Sequence, residues 1–205
     1  MPKRGYDHAN LTEALIEAAL VLISENGPTG FTLSEAAKRA SVTPAAVYRH
    51  FEGREDLINE AALQGYRIFA DLMEHAYRDG QPSALAAFEA AGRAYLAFAR
   101  VDPGHYIAMF ESGISVNRTT ELSHASQRAR SVMDRAAQEL CHNMPEDRRP
   151  PASMFSAHIW AMSHGVVELF ARNSAGAQSP FAPEDLLDKG IGVYLRGLGV
   201  LPPDG

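Results

Sequence analysis

Residues 43–54 hold the side chains whose types and spacing best suit recognition of a nucleic acid. Thr43, Ala45, Ala46 and Arg49 fall on or near one face of a predicted helix. Small alanines let a helix sit deep in the major groove and contact thymine methyl groups, and an arginine can donate two hydrogen bonds to guanine O6 and N7. This face therefore predicts a surface that reads base edges, with Arg49 as its most specific donor.

Donors at three further positions, Tyr48, His50 and Arg54, suit the phosphate oxygens of a duplex. Across residues 34–54 four basic side chains oppose two acidic ones, whereas across residues 1–60 six basic side chains oppose nine acidic ones. The formal net charge of the chain is −6. That balance argues against broad non-specific binding of nucleic acid, but it allows a small local basic patch.

Two short helices joined by a tight turn are predicted to position this face. Thr32 and Glu35 form a capping box, which begins a helix expected over residues 33 to about 40. Thr43 is a favourable N-cap, and Pro44 suits the first helical position of the next helix. The turn between the helices is therefore three or four residues long.

The second helix is expected over residues 44 to about 51, with Val47 and Phe51 facing a core because they lie four residues apart. Two such helices and their turn make a helix-turn-helix, whose second helix enters the major groove in DNA-binding proteins. The same hairpin is common in helical bundles that bind no DNA. Geometry alone leaves both interpretations open.

The remainder of the chain also predicts helices and no strands. The chain has 33 alanines against 24 valines, isoleucines and threonines together, an excess that favours helix. Apolar periodicity and the proline and glycine stops predict about nine helices, and hence an all-α fold. We expect a helix-turn-helix domain at 1–53, a linking helix at 54–78, and a larger domain at 79–205.

Three stretches around the turn share one pattern: GFTLSEAA at 30–37, ASVTPAAVYRHF at 40–51 and GREDL at 53–57. With these motifs, residues 10–60 resemble the DNA-binding domain of the TetR family of bacterial transcriptional repressors. Many members have Ala-Gly where this chain has Ala40-Ser41, so the turn must tolerate a side chain at Ser41. The resemblance implies groove contacts from Thr43, Pro44, Ala45, Ala46 and Arg49, and phosphate contacts from Thr32, Tyr48, His50 and Arg54.

Residues 83–205 hold most of the bulky apolar side chains, which are typical either of simple core packing or of a pocket for an apolar ligand. The resemblance implies a ligand-binding and dimerisation domain here. Residues 159–165, IWAMSHG, are similar to the Trp-x-x-x-His-Gly motif of one C-terminal-domain subgroup. The candidate ligand contacts are Phe88, Tyr95, Phe98, Met109, Phe110, Met133, Trp160 and His164.

The last two predicted helices, over residues 152–172 and 183–198, are candidates for a dimer interface. The first is apolar on two faces and therefore needs two packing partners, one of which can be a second subunit. Glycines in the second lower its helix propensity. That cost is understandable if a neighbouring helix packs closely against them. The predicted interface residues are Phe155, Ile159, Met162, Val166, Phe170, Leu187, Ile191, Tyr194, Leu195 and Leu198.

These features together predict a homodimeric repressor that binds palindromic double-stranded operator DNA and is released by a small, largely apolar molecule. An activator or a regulator that needs a co-repressor is the alternative within the same class. A helical-bundle enzyme or ligand-binding protein with an incidental hairpin is the rival class, in which His105 and Glu111 would supply acid-base groups. Neither a nucleophile nor a phosphate-loop motif accompanies them, so we expect no enzyme and no cofactor.

The apolar runs, the histidine spacings and the single cysteine bear on compartment, metal binding and redox chemistry. The apolar run at residues 18–23 is far shorter than the roughly 18 residues needed to span a bilayer, and acidic residues interrupt the N-terminal region. A cytoplasmic protein without a membrane partner is therefore expected. The histidine spacings predict no metal site. The single cysteine, Cys141, is either a buried small hydrophobe or a redox-sensing thiol.

Overall fold

The computed structural model describes residues 8–171 and 179–202, and these two ranges contain nine α-helices and no strand. The all-α prediction is confirmed. A 3₁₀ turn at Glu146–Arg148 precedes α8 and a π-helical turn at Val167–Ala171 follows it. The helices are α1 (His8–Asn26), α2 (Leu33–Arg39), α3 (Pro44–Val47), α4 (Arg54–Asp79), α5 (Ala84–Val101), α6 (Pro103–Phe110), α7 (Thr120–His142), α8 (Ala152–Val166) and α9 (Pro183–Gly197).

Tertiary contacts divide the chain into two compact units. The N-terminal unit comprises Met1–Ile68 and Asp102–Ser126, and the C-terminal unit comprises Phe69–Val101 and Gln127–Gly205. Helices α4 and α7 contribute residues to both units. This division differs from the predicted domains at 1–53 and 79–205, because α6 and the start of α7 group with the N-terminal helices. The predicted boundaries were placed at proline- and glycine-containing breaks between helices. Such breaks mark turns, but they do not indicate which helices pack together.

Close backbone approach explains how α6 joins the N-terminal unit. Helix α1 packs against α6 and against α2. A Cβ at Gly104, in the first turn of α6, would lie 2.7 Å from the carbonyl oxygen of Leu20. A Cβ at Gly65, in α4, would lie 2.7 Å from the sulfur of Met109. Only glycine fits these two positions without displacing a neighbour.

An aromatic column forms part of the core of the C-terminal unit, where α5, α8 and α9 meet. Phe88 stacks on Phe155 with ring centroids 5.5 Å apart, and Phe155 stacks on Tyr194 at 5.7 Å. Cys141 is buried, and burial raises the pKa of its thiol, which keeps the thiolate scarce. Along both described ranges, every helix is too short or too polar to cross a membrane.

Two helices end earlier than their periodicity predicts. Helix α3 ends at Val47, whose carbonyl then accepts from the backbone N–H groups of His50 and Phe51 at 2.9 and 3.0 Å. Helix α8 ends at Val166, after a glycine and at the first of two β-branched residues, all of low helix propensity. The π-helical turn adds a residue there, which rotates the following side chains by about 100°.

The turn between α2 and α3 places a side chain in the left-handed region of backbone conformation. Ser41 has φ of 57°. Its N–H donates to the carbonyl of Lys38 at 3.1 Å, and the N–H of Val42 donates to that of Ala37 at 2.9 Å. These bonds form a Schellman motif, whose left-handed position glycine usually occupies. Ser41 thus stands at the position where the sequence analysis expects the turn to tolerate a side chain.

We expect Ser41→Gly to raise the free energy of unfolding by about 1 kcal/mol, because a left-handed non-glycine residue costs about 1–2 kcal/mol and glycine recovers part of that. Urea denaturation measures the change. Ser34→Gly, at an exposed position in α2, is the control and should lower stability by about 0.5 kcal/mol. Equal effects of both substitutions would contradict strain at Ser41.

Candidate functional site

The first turn of α3 is an exposed surface that its caps and one buried side chain hold in place. The Thr43 hydroxyl accepts a hydrogen bond from the N–H of Ala46 at 3.3 Å, and Pro44 occupies the first helical position. Val47 is fully buried on the opposite side, as predicted. Thr43, Pro44 and Ala45 are exposed, whereas Ala46 is half-buried. The helix therefore presents a short surface with little side-chain bulk.

Tyr48 and Arg49 extend this surface past the end of α3. Tyr48 is 59 % exposed, a large value for an aromatic side chain. Arg49 is exposed, and its Nε donates to the carbonyl of Ala45 at 3.3 Å. That bond uses one of five guanidinium donors, so the side chain is oriented and retains its capacity to bind a base edge. His50, in contrast, is half-buried.

Thr32 is exposed and takes part in the capping box that the sequence predicts. Its hydroxyl donates to Glu35 Oε2 at 2.8 Å and accepts from the Glu35 N–H at 3.2 Å. Hydrogen bonds from the side chain and backbone of Thr32 hold the pKa of Glu35 below its usual value. Thr32 thus begins α2, and its hydroxyl proton already has an acceptor.

Arg54 is engaged within the protein. Its Nη1 donates to the carbonyl oxygens of Thr29 at 2.9 Å and Phe31 at 3.3 Å. The side chain is half-buried and joins the segment before α2 to the first residue of α4. The sequence predicts a phosphate contact for Arg54 instead. The motif could not indicate the carbonyls of Thr29 and Phe31 as partners, because they lie more than 20 residues earlier in the chain.

A salt bridge also reduces the local positive charge that the sequence predicts. Arg39, the last residue of α2, donates from both terminal nitrogens to the carboxylate of Glu25, at 2.8 and 2.9 Å. Glu25 lies outside residues 34–54, over which the basic excess was counted. The patch around α3 is therefore less basic than the sequence suggests.

The predicted ligand contacts divide between the two units. Met109 and Phe110 belong to the N-terminal unit, where Phe110 contacts Tyr66 and Tyr106 edge-on or tilted. The others belong to the C-terminal unit, and all but the last two of them are buried: Phe88, Tyr95, Phe98, Met133, Trp160 and His164.

Four aromatic rings in the C-terminal unit form one cluster, which we call the Trp160 cluster: Phe69, Tyr95, Phe98 and Trp160. Phe69 lies 5.4 Å from Tyr95 and 5.0 Å from Phe98, and Tyr95 lies 5.4 Å from Trp160. The sequence prediction omits Phe69, although buried side chains at positions 66, 69, 73 and 77 follow a helical stripe. The cluster gathers three of the predicted ligand contacts around this additional ring.

His164 supplies a polar group at the edge of this cluster. Its Nδ1 lies 2.9 Å from the hydroxyl of Tyr95, within hydrogen-bond distance. Both His164 and Trp160 are half-buried, unlike Tyr95 and Phe69, which are buried. The motif of residues 159–165 therefore places an aromatic ring and an imidazole against the same tyrosine.

Half of the predicted dimer contacts face inward within the single chain. Because α5, α8 and α9 pack on one another, five of these side chains are buried in the single chain and offer no surface to a second copy: Phe155, Ile159, Leu187, Ile191 and Leu195. The other five are half-buried: Met162, Val166, Phe170, Tyr194 and Leu198. Periodicity identifies apolar faces, but it does not indicate which face packs within the subunit.

Two histidines, His105 and His158, each lie beside another polar side chain. His158 Nδ1 lies 2.7 Å from the hydroxyl of Tyr194. His105 is buried, and its Nδ1 lies 2.8 Å from Asp102 Oδ2, so the acidic partner here is Asp102 rather than the Glu111 of the enzyme hypothesis. Among the described residues, no group of three or more histidine, cysteine or acidic side chains could hold a metal ion.

Comparison with known families gives two matches along the chain. Residues 15–61 match the family of bacterial regulatory proteins named tetR. Residues 88–194 match the tetracyclin repressor-like C-terminal domain. Together they cover the helix-turn-helix and most of the C-terminal unit.

Individual relatives agree with these matches. The "Probable acrEF/envCD operon repressor" of Escherichia coli (strain K12) is 37% identical over 76 residues, which are 37% of this chain and 34% of that protein. The chain therefore spans about a third of the length of this curated relative. The structure of the TetR family transcriptional regulator PfmR from Thermus thermophilus has a TM-score of 0.71 at 16% identity, covering 90% of this chain and 98% of PfmR.

A third similar structure is that of AibR in complex with isovaleryl coenzyme A and operator DNA. Its TM-score is 0.68 at 16% identity, over 89% of this chain and 97% of AibR. At this identity both structural matches show the fold alone. The matched relatives are regulators of transcription and not enzymes.

We expect Arg54→Met to lower the free energy of unfolding by about 1–3 kcal/mol, because two backbone carbonyls lose their charged donor. Arg49→Ala, which removes an exposed arginine, should change stability by less than about 0.5 kcal/mol. Urea denaturation of both variants compares the two arginines directly. Unchanged stability of Arg54→Met would show that its hydrogen bonds to Thr29 and Phe31 are dispensable.

Proposed function

The chain belongs to the TetR family of bacterial transcriptional regulators, and on that premise we propose that it is a homodimeric repressor of a palindromic operator. A small, largely apolar effector releases the DNA. AibR, which shares the fold, has been crystallised with both an acyl-coenzyme A and operator DNA. That complex supports the binding of a small molecule and of operator DNA by a protein of this fold.

The observation that carries the proposal is the exposed first turn of α3 with Arg49 beside it. Thr43, Pro44 and Ala45 are exposed, and none of them is bulky enough to keep a helix out of a major groove. In the proposal, these residues and Ala46 contact base edges together with Arg49. Two copies related by a two-fold axis would read two half-sites about one helical turn apart or somewhat more.

Phosphate contacts complete the proposed DNA interface. Tyr48 is the best placed of the predicted phosphate donors, because its hydroxyl is on a side chain that is 59 % exposed. Thr32 and His50 remain proposed contacts at the edges of the surface. Arg54 acts chiefly by holding the segment before α2, and any contact with phosphate uses donors other than the bonded Nη1.

The Trp160 cluster is the proposed effector site. Apolar ligands suit aromatic surroundings with a few polar groups that set their orientation. Trp160 and His164 are the half-buried members of this region, and the Tyr95–His164 hydrogen bond supplies the polar groups. We propose that the chain belongs to the Trp-x-x-x-His-Gly subgroup, since Trp160 and His164 both contact Tyr95.

Exposed apolar side chains on the last helices support the proposed dimer. Met154 of α8 is 51 % exposed, Leu169 of the following turn 52 %, and Val193 of α9 66 %. Exposed apolar side chains such as these are candidates for contact with a second copy. In the proposal these side chains, rather than the buried half of the predicted set, meet the second copy.

Three glycines of α8 and α9 also fit the proposed interface. A Cβ at Gly165, Gly190 or Gly197 would meet no atom of the described residues within 4 Å, so nothing described in the subunit requires glycine there. Each costs up to about 1 kcal/mol relative to alanine in a helix. Close approach by a helix of a second copy accounts for that cost.

We expect Arg49→Ala to weaken binding to an operator duplex, enriched from random DNA by selection, by about 1–3 kcal/mol, because a bidentate base contact is lost. Binding to a scrambled duplex should weaken much less. Fluorescence anisotropy at several salt concentrations measures both affinities.

Arg130→Ala is the matched control for charge, because Arg130 is exposed and lies in α7 within the C-terminal unit. It should leave the preference for operator over scrambled DNA unchanged. Equal losses on the two duplexes for Arg49→Ala would exclude its role in reading bases.

We expect Val193→Glu to convert the dimer to a monomer, because a carboxylate would be desolvated in an apolar interface. Sedimentation equilibrium measures the mass in solution. Val101→Glu is the control, since Val101 is 80 % exposed at the end of α5, outside the proposed interface. Loss of the dimer in both variants, or in neither, would contradict the assignment of the interface to α9.

A further inference from the structure

The segment that follows α3 is hydrogen-bonded to one carboxylate of α4. Glu52 lies three residues after Arg49, and its backbone N–H donates to Asp56 Oδ2 at 3.1 Å. Asp56 is in the first turn of α4, where the helix dipole favours a carboxylate. Phe51, next to Glu52, is buried, and its N–H donates to the carbonyl of Val47. The hydrogen bond to Asp56 therefore fixes the chain where it passes from α3 to α4.

The other oxygen of Asp56 accepts a hydrogen bond from Arg118, which lies in the segment before α7. Arg118 Nη2 donates to Asp56 Oδ1 at 2.7 Å, and its Nη1 donates to Glu55 Oε2 at 3.0 Å. A guanidinium is planar, so two bonds from different nitrogens set its orientation. The hydrogen bond to Asp56 is the largest cause that raises the pKa of Arg118 above its usual value. Asp56 thus joins Arg118 to the end of the helix-turn-helix.

Local structure on both sides of Arg118 positions its backbone. The N–H of Arg118 donates to the carbonyl of Ser115 at 2.9 Å, which closes a turn. The hydroxyl of Thr119 accepts from the N–H of Leu122 at 3.2 Å, a capping bond at the start of α7. Arg118 therefore projects from a defined point between a turn and a helix. All of these residues belong to the N-terminal unit.

We propose that Arg118 is a positioning residue for the surface formed by the first turn of α3 and Arg49. It orients the carboxylate of Asp56, and Asp56 in turn fixes the chain three residues after Arg49. An exposed ion pair contributes little to the free energy of unfolding, but a binding surface has to be held to within about 0.5 Å. This role rests on the proposed binding of operator DNA, and Arg118 acts in it through Asp56.

Hydrogen exchange of the free protein, followed by NMR, tests the positioning without DNA. Arg118→Met keeps most of the side-chain length and removes both donors. We expect the amide of Glu52 to exchange several-fold faster in this variant, because Asp56 is then less firmly held against it. The midpoint of urea denaturation should stay nearly unchanged. Arg128→Met is the matched control, because Arg128 of α7 pairs with Asp71 of α4 in the C-terminal unit, and it should leave the exchange of Glu52 unchanged.

Fluorescence anisotropy on operator and scrambled duplexes tests the consequence for recognition. Arg118→Met should weaken operator binding by about threefold to tenfold, as expected for residues coupled in one hydrogen-bond network. Binding to the scrambled duplex should change no more than it does for Arg128→Met, which removes the same charge. Glu55→Gln weakens only the other hydrogen bond of Arg118, and it should leave the preference for operator over scrambled DNA within about twofold.

A double-mutant cycle shows whether Arg118 acts through Asp56. Asp56→Ala should also weaken operator binding, because the Glu52 N–H loses its acceptor. Adding Arg118→Met to Asp56→Ala should then change the affinity by less than about twofold. Arg118→Lys, which keeps a charged donor but not the planar fork, should recover part of the operator affinity.

Several results would overturn the proposal. One is an unchanged exchange rate of the Glu52 amide in a folded Arg118→Met variant. Another is an equal loss of operator affinity in Arg118→Met and Arg128→Met, which would assign the effect to charge alone. Additive losses from Arg118→Met and Asp56→Ala would show that Arg118 does not act through Asp56. If the unaltered protein did not distinguish the two duplexes, the proposed function would fail, while the exchange experiment would still decide whether Arg118 holds the segment after α3.

Discussion

The direction in which α3 leaves α2 depends on the backbone of a single turn. Ser41 adopts positive φ, and the two hydrogen bonds of the Schellman motif fasten the turn to the last carbonyls of α2. Thr43 and Pro44 then begin α3 at once. Helix α3 has only four residues, so its direction is the one in which the turn starts it. The turn therefore determines which way the exposed surface of α3 faces.

Packing beyond the turn supports the same small surface from behind. Val47 anchors α3 in the core, and Arg54 fastens the segment before α2 to the start of α4. Helix α6 belongs to the same unit through its contact with α1, where Gly104 allows the backbones to approach. The unit that carries the helix-turn-helix is therefore larger than the helix-turn-helix itself.

Much of this arrangement could be predicted from local signals in the sequence. The capping box of Thr32 and Glu35 and the Thr43-Pro44 pair act within one helical turn, so residue types predict them directly. Contacts between distant residues behave differently. The hydrogen bonds that Arg54 and Arg39 make to partners in other segments depend on how helices come together. For the same reason, periodicity found both apolar faces of α8 without indicating which one is buried.

The salt bridge between Arg39 and Glu25 affects how such a regulator searches a chromosome. Attraction to phosphates, independent of sequence, keeps a protein on non-cognate DNA and lets it slide. Here Arg39 is paired with Glu25, Arg54 is half-buried, and the whole chain has a net charge of −6. For the proposed repressor we therefore expect brief encounters with non-cognate DNA. We expect it to search more by repeated three-dimensional diffusion than by long scans along the duplex, so that few molecules are held on the rest of the genome.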